Sequence, residues 1–531
     1  MNNKTTKFLF VLLVLSLTRL SFLSAEESKE IYPFQLSKQR KFSLVIKTNT
    51  LFPLLIFDGK SPEYMTRSYD DYTFVIDFHL KIITAPTSEF SLENNNLHPF
   101  SLSLSPSVSL LLSKDKKKYG KTAIEIAGMN VGLWAVNKYV FKKSWANISL
   151  ETILWNIDHG PDWDYDAFQC NQFMHPFHGA IHYCTARANG FNFLESSVWA
   201  LGGGLMWEFL LESLGTKNNP PSGNDLILNT SGGALLGEAL FRFSNLIIDE
   251  SSVGLERVLR ESLAFLINPA SGFRFFSGEA FRRGIPPQNI NYDLSFPFGV
   301  VISSSNEPSF IISTNLEYKD FKKKNISALS PYDWFSFNLR FGIHDYSLRD
   351  KEFYILGILA GKRIKNGFAG LFGVFDYIDT HIAEQYSAVG VGPGFVTQTM
   401  SDSNLYFRSS CVLSVIFGGS NPSIEPEDYH FGKKTNEPYY LGPGMLGKVK
   451  LELAKKGLGS IDTSFSQYWI NSIFYDADEF LSLLSFNLKC DVSDKSQICF
   501  GYDYFIKRGT LHCQNFTKVK PALRALYIWK F

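Results

Sequence analysis

Charge of one sign is what this chain lacks first. Its 531 residues carry 52 Lys and Arg against 51 Asp and Glu, so no basic field points to a nucleic-acid partner. Cysteine is scarce. Cys170, Cys184, Cys411, Cys490, Cys499 and Cys513 contain no C-x-x-C pair, which removes the common zinc modules. Cys490 and Cys499 flank a predicted hairpin turn, but Cys490 is in phase with Phe486 and Leu488 while Cys499 is out of phase with Ile498 and Phe500. Paired residues share a face of a sheet, so no disulfide is expected there. No G-x-S-x-G elbow occurs, and with it goes that serine nucleophile. After the first 25 residues no segment reads as a spanning helix. The most apolar helical candidate, Ser197 to Leu214, holds Glu208 and Glu212, which are costly in hydrocarbon.

What is present is apolar and aromatic. The chain is 45% apolar and 15% aromatic, with 48 Phe; that excludes general disorder and suits a surface facing lipid. The length allows two or more domains. Lys4 and Lys7 precede the apolar run Phe8–Leu15, and Ser24-Ala25 stands before Glu26-Glu27. This predicts a secretory signal peptide over residues 1–25, without the cysteine that lipoprotein anchoring needs.

Residues 293–531 read as β. Phe335, Phe337, Leu339, Phe341 and Ile343 share one parity against Ser336, Asn338, Arg340 and His344. Val449, Leu451 and Leu453 repeat the pattern, as do Phe310, Ile312, Leu316 and Tyr318, and Ile498, Phe500, Tyr502 and Tyr504. The length of the runs and the charges on their polar faces favour a transmembrane barrel over a soluble sandwich. Counting the runs predicts an antiparallel barrel of about twelve strands, lipid outside and a polar lumen inside. The last run places Leu523, Ala525, Tyr527, Trp529 and Phe531 on one face. It resembles the closing strand of bacterial outer-membrane barrels. That resemblance implies the outer membrane of a Gram-negative cell, contact with its lipid, and recognition by the assembly machinery through the Phe531 strand. Ser420–Tyr439 is expected to form a long extracellular loop.

Ahead of the barrel, residues 119–292 read as helices, making the whole an α+β chain. Helices are predicted over Lys121–Val140, Phe173–Asn189, Glu195–Ser213, Ser222–Ile247 and Val253–Ile267. Ser222 is a natural N-cap, with Asp225 three residues on as in a capping box. Strand-like runs within 26–118, such as Tyr72–Ile83, fit either extra barrel strands or a small β element. Five helices of about 10 Å diameter overfill a twelve-stranded lumen, so the helical domain is expected at the periplasmic mouth.

The densest chemistry lies in these helices. His175, His178 and His182 fall at i, i+3 and i+7, and Glu208 and Glu212 at i, i+4 on the next helix. Histidines facing carboxylates across a helix pair are how bundle metal sites are built, here with His175, His178, His182 and Glu208 as ligands to a divalent ion. The same groups, with Asp225 and Arg187, also suit acid–base catalysis. The plainer reading is a structural polar network: Pro176 delays the helix so that His175 caps it, Asp225 caps the next, and Glu238 pairs with Arg242. Beyond that metal option no cofactor is expected.

Trp163-Asp-x-Asp166-x-Phe168-x-x-Asn171-Gln-Phe173-x-His175-Pro-x-His178-Gly179, Tyr183 and Ala186-Arg187-x-x-Gly190 form a dense motif. It continues with Gly203-Gly204-Leu-Met-Trp207-Glu208, Glu212, Pro221-Ser-x-Asn224-Asp225, Gly232-Gly233-x-x-x-Gly237-Glu238, Arg242, Arg260-Glu261 and Ile267-Asn268-Pro269. Over about residues 120–280 the chain resembles the bacterial family known as domain of unknown function 3943. The resemblance implies an exported outer-membrane protein with this block ahead of a β-rich part, and brings no established activity. Gly204 departs from the family's serine, which argues against a nucleophile there. Two functions follow. The first is a non-enzymatic barrel, acting as a narrow channel or an envelope structural protein whose helices gate it or dock a partner. The alternative is a lipid-modifying enzyme or hydrolase using the His and Glu cluster.

Overall fold

Strands that alternate apolar and polar residues, each paired on both sides, leave no free edge only when the sheet closes. The computed structural model shows that closure. It describes residues 117–531 apart from 164–165, 213–219, 283, 285–289, 304–307, 321–327, 345–346, 381–383, 402–403, 422–439, 472–477 and 512–513. The signal segment, the runs within 26–116 and nearly all of the predicted long loop fall outside the described residues.

Twelve antiparallel strands pair in chain order: β1 (Asn291–Ser303), β2 (Pro308–Lys319), β3 (Trp334–His344), β4 (Ser347–Ile364), β5 (Gly367–Thr380) and β6 (Glu384–Met400) come first. They continue with β7 (Leu405–Asn421), β8 (Tyr440–Lys455), β9 (Gly459–Asn471), β10 (Asp478–Ser493), β11 (Ser496–Leu511) and β12 (Gln514–Lys530). A two-residue segment, Ala328–Leu329, adds a bridge to β4. The barrel closes where β12 meets β1, with Phe298 opposite Tyr527 and Val300 opposite Ala525. The number of barrel strands agrees with the count from sequence.

The parities also agree. Val449, Leu451, Leu453, Phe486, Phe500, Leu523 and Tyr527 face outward and are exposed. Cys490 faces out opposite Ile498, while Cys499 is buried opposite Lys489, so the two thiols lie on opposite faces.

The interior is not the uniformly polar lumen that alternation suggested. Phe372, Val374, Ile378, Ala388, Val412, Ile416, Leu446, Ile470 and Leu481 point inward and form a core with Trp334, Tyr386 and Tyr468. Charged pairs cross the same space. Lys448 on β8 and the Tyr468 hydroxyl on β9 both donate to Asp376 on β5, at 2.7 and 2.9 Å. Arg408 on β7 donates to Glu317 on β2 at 2.9 Å.

The helices are α1 (Tyr119–Ala135), α2 (Leu150–His159), α3 (His175–Ala188), α4 (Phe193–Met206), α5 (Gly223–Ile227), α6 (Gly233–Ile247), α7 (Gly254–Ile267) and α8 (Phe273–Phe276). Four π-turns extend them: Val136–Val140 after α1, Cys170–Met174 before α3, Trp207–Leu211 after α4 and Leu228–Gly232 between α5 and α6. Helix α2 was not predicted, although Ser149 and Thr152 form a capping box at its start. No helix among the described residues is long and apolar enough to cross a membrane by itself.

The position of this block corrects the expectation of a mouth. It lies against the outer wall of β2–β7. Phe335, Phe337, Leu339 and Phe341 do face outward, yet they are buried in one core with Leu235, Leu236, Ala239, Leu240 and Phe243 of α6. Phe243 meets Phe337 at 5.7 Å, Phe173 meets Phe353 at 5.1 Å and Phe168 stacks on Tyr377 at 5.4 Å. A Cβ on Gly373 of β5 would sit 2.4 Å from Leu235, so the wall is notched to admit the helix. The physical reason is plain: the lumen is filled by its own side chains, and the outer wall offers apolar area.

Candidate functional site

Helix α3 carries polar residues at three levels along its axis, and each level recruits different neighbours. The π-turn before it delivers His175 as the first α residue. Pro176 follows within the first turn, where its missing N–H costs nothing. The helix is therefore continuous past Pro176, and the N-cap position falls on Met174, leaving the buried His175 inside the helix.

At the first level, His175 Nε2 lies 3.3 Å from Asp225 Oδ2. Its Nδ1 lies 3.9 Å from Glu208 Oε1 and 3.4 Å from the Asn229 amide. Glu208 is held by the Ser222 backbone N–H at 3.0 Å, and the Trp207 indole donates to Glu212. Ser222 caps α5 as predicted, accepting from the Asp225 N–H at 3.2 Å. The Asp225 carboxylate turns to His175 instead of completing the box. Donor atoms of His175, Glu208 and Glu212 all lie within 4.8 Å of one another, the first two residues buried and Glu212 half-buried.

The second level holds His178 and His182, each with Nε2 at 2.8 Å from the Asn130 Oδ1 of α1. The Asn130 amide donates to Gly203 O at 2.9 Å. An amide oxygen only accepts, so both rings donate from Nε2. Burial pushes His182 down to about 3, and burial, then the neighbouring His182 and His175, pushes His178 well below its usual value. Both are neutral imidazoles. The predicted ligand set of three histidines with Glu208 is thus corrected. Seven residues of helix rise by roughly 10 Å, which puts His175 and His182 at different levels.

The third level is Glu238 of α6. It accepts from Arg187 at 2.7 Å, from Arg242 at 2.8 Å and from the Tyr183 hydroxyl at 2.8 Å. Arg242 also donates to Pro331 O at 2.8 Å, tying α6 to the approach to β3. The predicted Glu238–Arg242 pair is present. Arg187 belongs to this network and not to the His175 level. A cavity of about 570 Å³ beside it is lined by Lys118, Lys121, Arg187, Asn245, Arg274 and Glu279, among others.

Asn130, Asn229 and Ser222 contact the candidate groups directly, and Gln172 fixes the π-turn by accepting from Ser387 on β6. The signal for Asn130 was visible as a polar residue inside an apolar helix. Asn229 gave no such signal, because only the π-turn aims it at His175.

Residues 160–270 match the domain of unknown function DUF3943. The DUF3943 region takes in all three levels except Asn130 and Pro331. It covers less than the stretch 120–280 over which the motif was read. No curated protein is similar enough to match. The barrel is similar to an OmpT loop-deletion mutant of Vibrio cholerae, at 6% identity over 46% of this chain and 99% of that one, TM-score 0.20. It is similar as well to the β domain of the Bordetella autotransporter BrkA (9%, 46% and 99%, TM-score 0.20) and to the CymD monoaromatic hydrocarbon channel (7%, 46% and 89%, TM-score 0.20). Similarity this faint decides nothing further; the fold rests on its own strand pairing.

Proposed function

We propose that the barrel serves as an outer-membrane wall for the DUF3943 region, and that this region holds a divalent metal for hydrolysis or modification of a lipid. The observation that carries it is the convergence of His175, Glu208 and Glu212 within 4.8 Å. One imidazole and two carboxylates suit an ion of the zinc or manganese class and leave coordination positions open. Such an ion, when bound, would acidify a water for attack. Asp225 on the far imidazole nitrogen would fix the tautomer and aim Nδ1 at the site, as carboxylates behind metal-bound histidines do. The lipid assignment rests on the position of the block against an apolar outer wall. The closing strand Leu523–Phe531 is proposed to address the chain to the assembly machinery of the outer membrane. The rim that holds Asn291 and Phe531 then faces the periplasm.

Metal analysis of natively purified protein tests the reading. The expected result is about one equivalent in the wild type, lost in His175→Ala and reduced in Glu212→Gln, with phospholipid hydrolysis lost alongside. Equal trace metal in wild type and His175→Ala sinks it. The ion pairs around Glu238 favour a second reading, an envelope structural protein, for which all three proteins would be metal-free and inactive yet folded. The channel version draws no support from an interior crossed by Lys448–Asp376 and Arg408–Glu317.

A further inference from the structure

Two layers of helix cover the barrel wall. Helices α5 and α6 touch the strands, and α1 and α4 pack on α3. In water, an outer helix face should carry the charges. Here it does not. The exposed positions of α4 and its π-turn are Leu194, Val198, Leu201, Gly202, Leu205 and Leu210, while Glu208 and Glu212 turn inward to His175. On α1, Ile124 is 74% exposed, and Gly128, Val131, Gly132 and Val136 continue its face. The one acid in that stretch, Glu125, is half-buried and accepts from Asn189. Lysines bracket the face: Lys117, Lys118 and Lys121 before it, Lys138, Lys142 and Lys143 after it. From Lys121 to Lys138 a helix rises about 25 Å, close to the apolar band of a transmembrane barrel. Long lysines at both ends of such a face reach back to the headgroups.

The wall beneath supplies the second observation. Phe335 to Phe341 have the same outward parity as the exposed Phe310 and Ile343 and lie between them and the rim of Asn291. The block therefore fills a slot that lipid occupies around the rest of the barrel. We infer that the outer faces of α1 and α4 are in contact with lipid acyl chains, continuing the barrel's lipid-facing band around the helical block. This inference does not depend on the metal reading and survives its failure.

The test places p-benzoylphenylalanine, one site at a time, at Ile124, Val198 or Leu201 of the full chain. Leu451 serves as the barrel reference and the exposed Glu256 as the water reference. Each protein is folded into phosphatidylethanolamine–phosphatidylglycerol vesicles, checked by heat-modifiable migration, and irradiated. Phospholipid adducts at the helix sites, in yields like that of Leu451 and above that of Glu256, are expected. Adducts at Leu451 alone overturn the inference. So do covalent dimers in place of lipid adducts, because the faces would then meet a second copy. The three sites on two helices keep the test decisive if one variant fails to fold.

Discussion

Glu238 is held by two arginines and a tyrosine at once, and that makes it the residue whose loss should be felt most. Burial works to raise its carboxyl, but Arg187 and Arg242 outweigh it and keep the group ionised below the usual range. Glu238→Ala leaves two guanidinium groups facing an empty buried site, so a loss of about 3–5 kcal/mol is expected. Denaturant midpoints followed by the fluorescence of Trp145 and Trp207 will read it; a shift under about 1 kcal/mol would mean water replaces the carboxylate freely. His182 makes the opposite kind of prediction. Its folded value of about 3 lies below the ordinary value of about 6.5. The folded state therefore binds fewer protons than the unfolded one in that window. Stability from this group is complete above about pH 6.5 and is lost as pH falls toward 3, by about 1.4 kcal/mol per pH unit per histidine. Between pH 6.5 and 5 the midpoint should drop, and His182→Asn should flatten the slope. A midpoint that ignores pH over that range removes the neutral imidazole pair from the account.

Among the elements, what the sequence revealed depended on whether one periodicity governed a segment. The barrel was legible because many of its strands alternate, as in Phe335–Ile343, Val449–Leu453 and Leu523–Phe531, and five helices because their apolar positions recur at helical spacing. Helix α2 is the exception: its Leu150, Leu154 and Ile157 stripe, exposed in the structure, spans only ten residues, and the Ser149–Thr152 box marks its start. The π-turns escaped too, and they matter for the site. The one before α3 sets where His175 enters the helix, and the one after α5 aims Asn229 at His175; the rise along α3 itself separates His175 from His182. The close crossing of α3 over the π-turn at Asn229 shows what holds this arrangement. A Cβ on Gly179 would lie 1.8 Å from the Asn229 carbonyl oxygen, and one on Gly233 would lie 2.7 Å from the Gly179 carbonyl carbon. No rotamer relieves a clash with backbone. Gly179→Val should therefore push α3 off α6 at about 3 kcal/mol, the upper end for overpacking. Protease should then cut within residues 119–280 while the heat-modifiable migration of the barrel persists. Unchanged protease resistance would show that the helices do not cross at this distance.

For the whole molecule, alternation cannot say what covers an outward face. Phe335, Phe337, Leu339 and Phe341 read the same as Val449, Leu451 and Leu453, yet helix covers the first set and the second stands exposed. Both covers are apolar, so the sequence that satisfies one satisfies the other. The lumen was misjudged for a related reason: inward Phe372 and Ile416 follow the same two-residue rhythm as a polar face, and only closure brings them against Tyr386, Tyr468 and Leu446. The filled interior carries the last prediction. Lys448–Asp376 joins β8 to β5 and Arg408–Glu317 joins β7 to β2, so strands that are not neighbours are tied across the barrel axis. In planar bilayers the wild-type protein should pass no steady current. Opening it requires removing side chains from both crossings together, because either one still bridges the space. Asp376→Ser alone leaves Lys448 unpaired and should lower thermal stability with little conductance. The set Glu317→Ser, Arg408→Ser, Lys448→Ser and Tyr468→Ser should produce small, discrete openings in a barrel that still migrates as folded. Steady wild-type conductance, unchanged by these substitutions, would return the molecule to the channels and leave the helical block as an ornament on the wall of a pore.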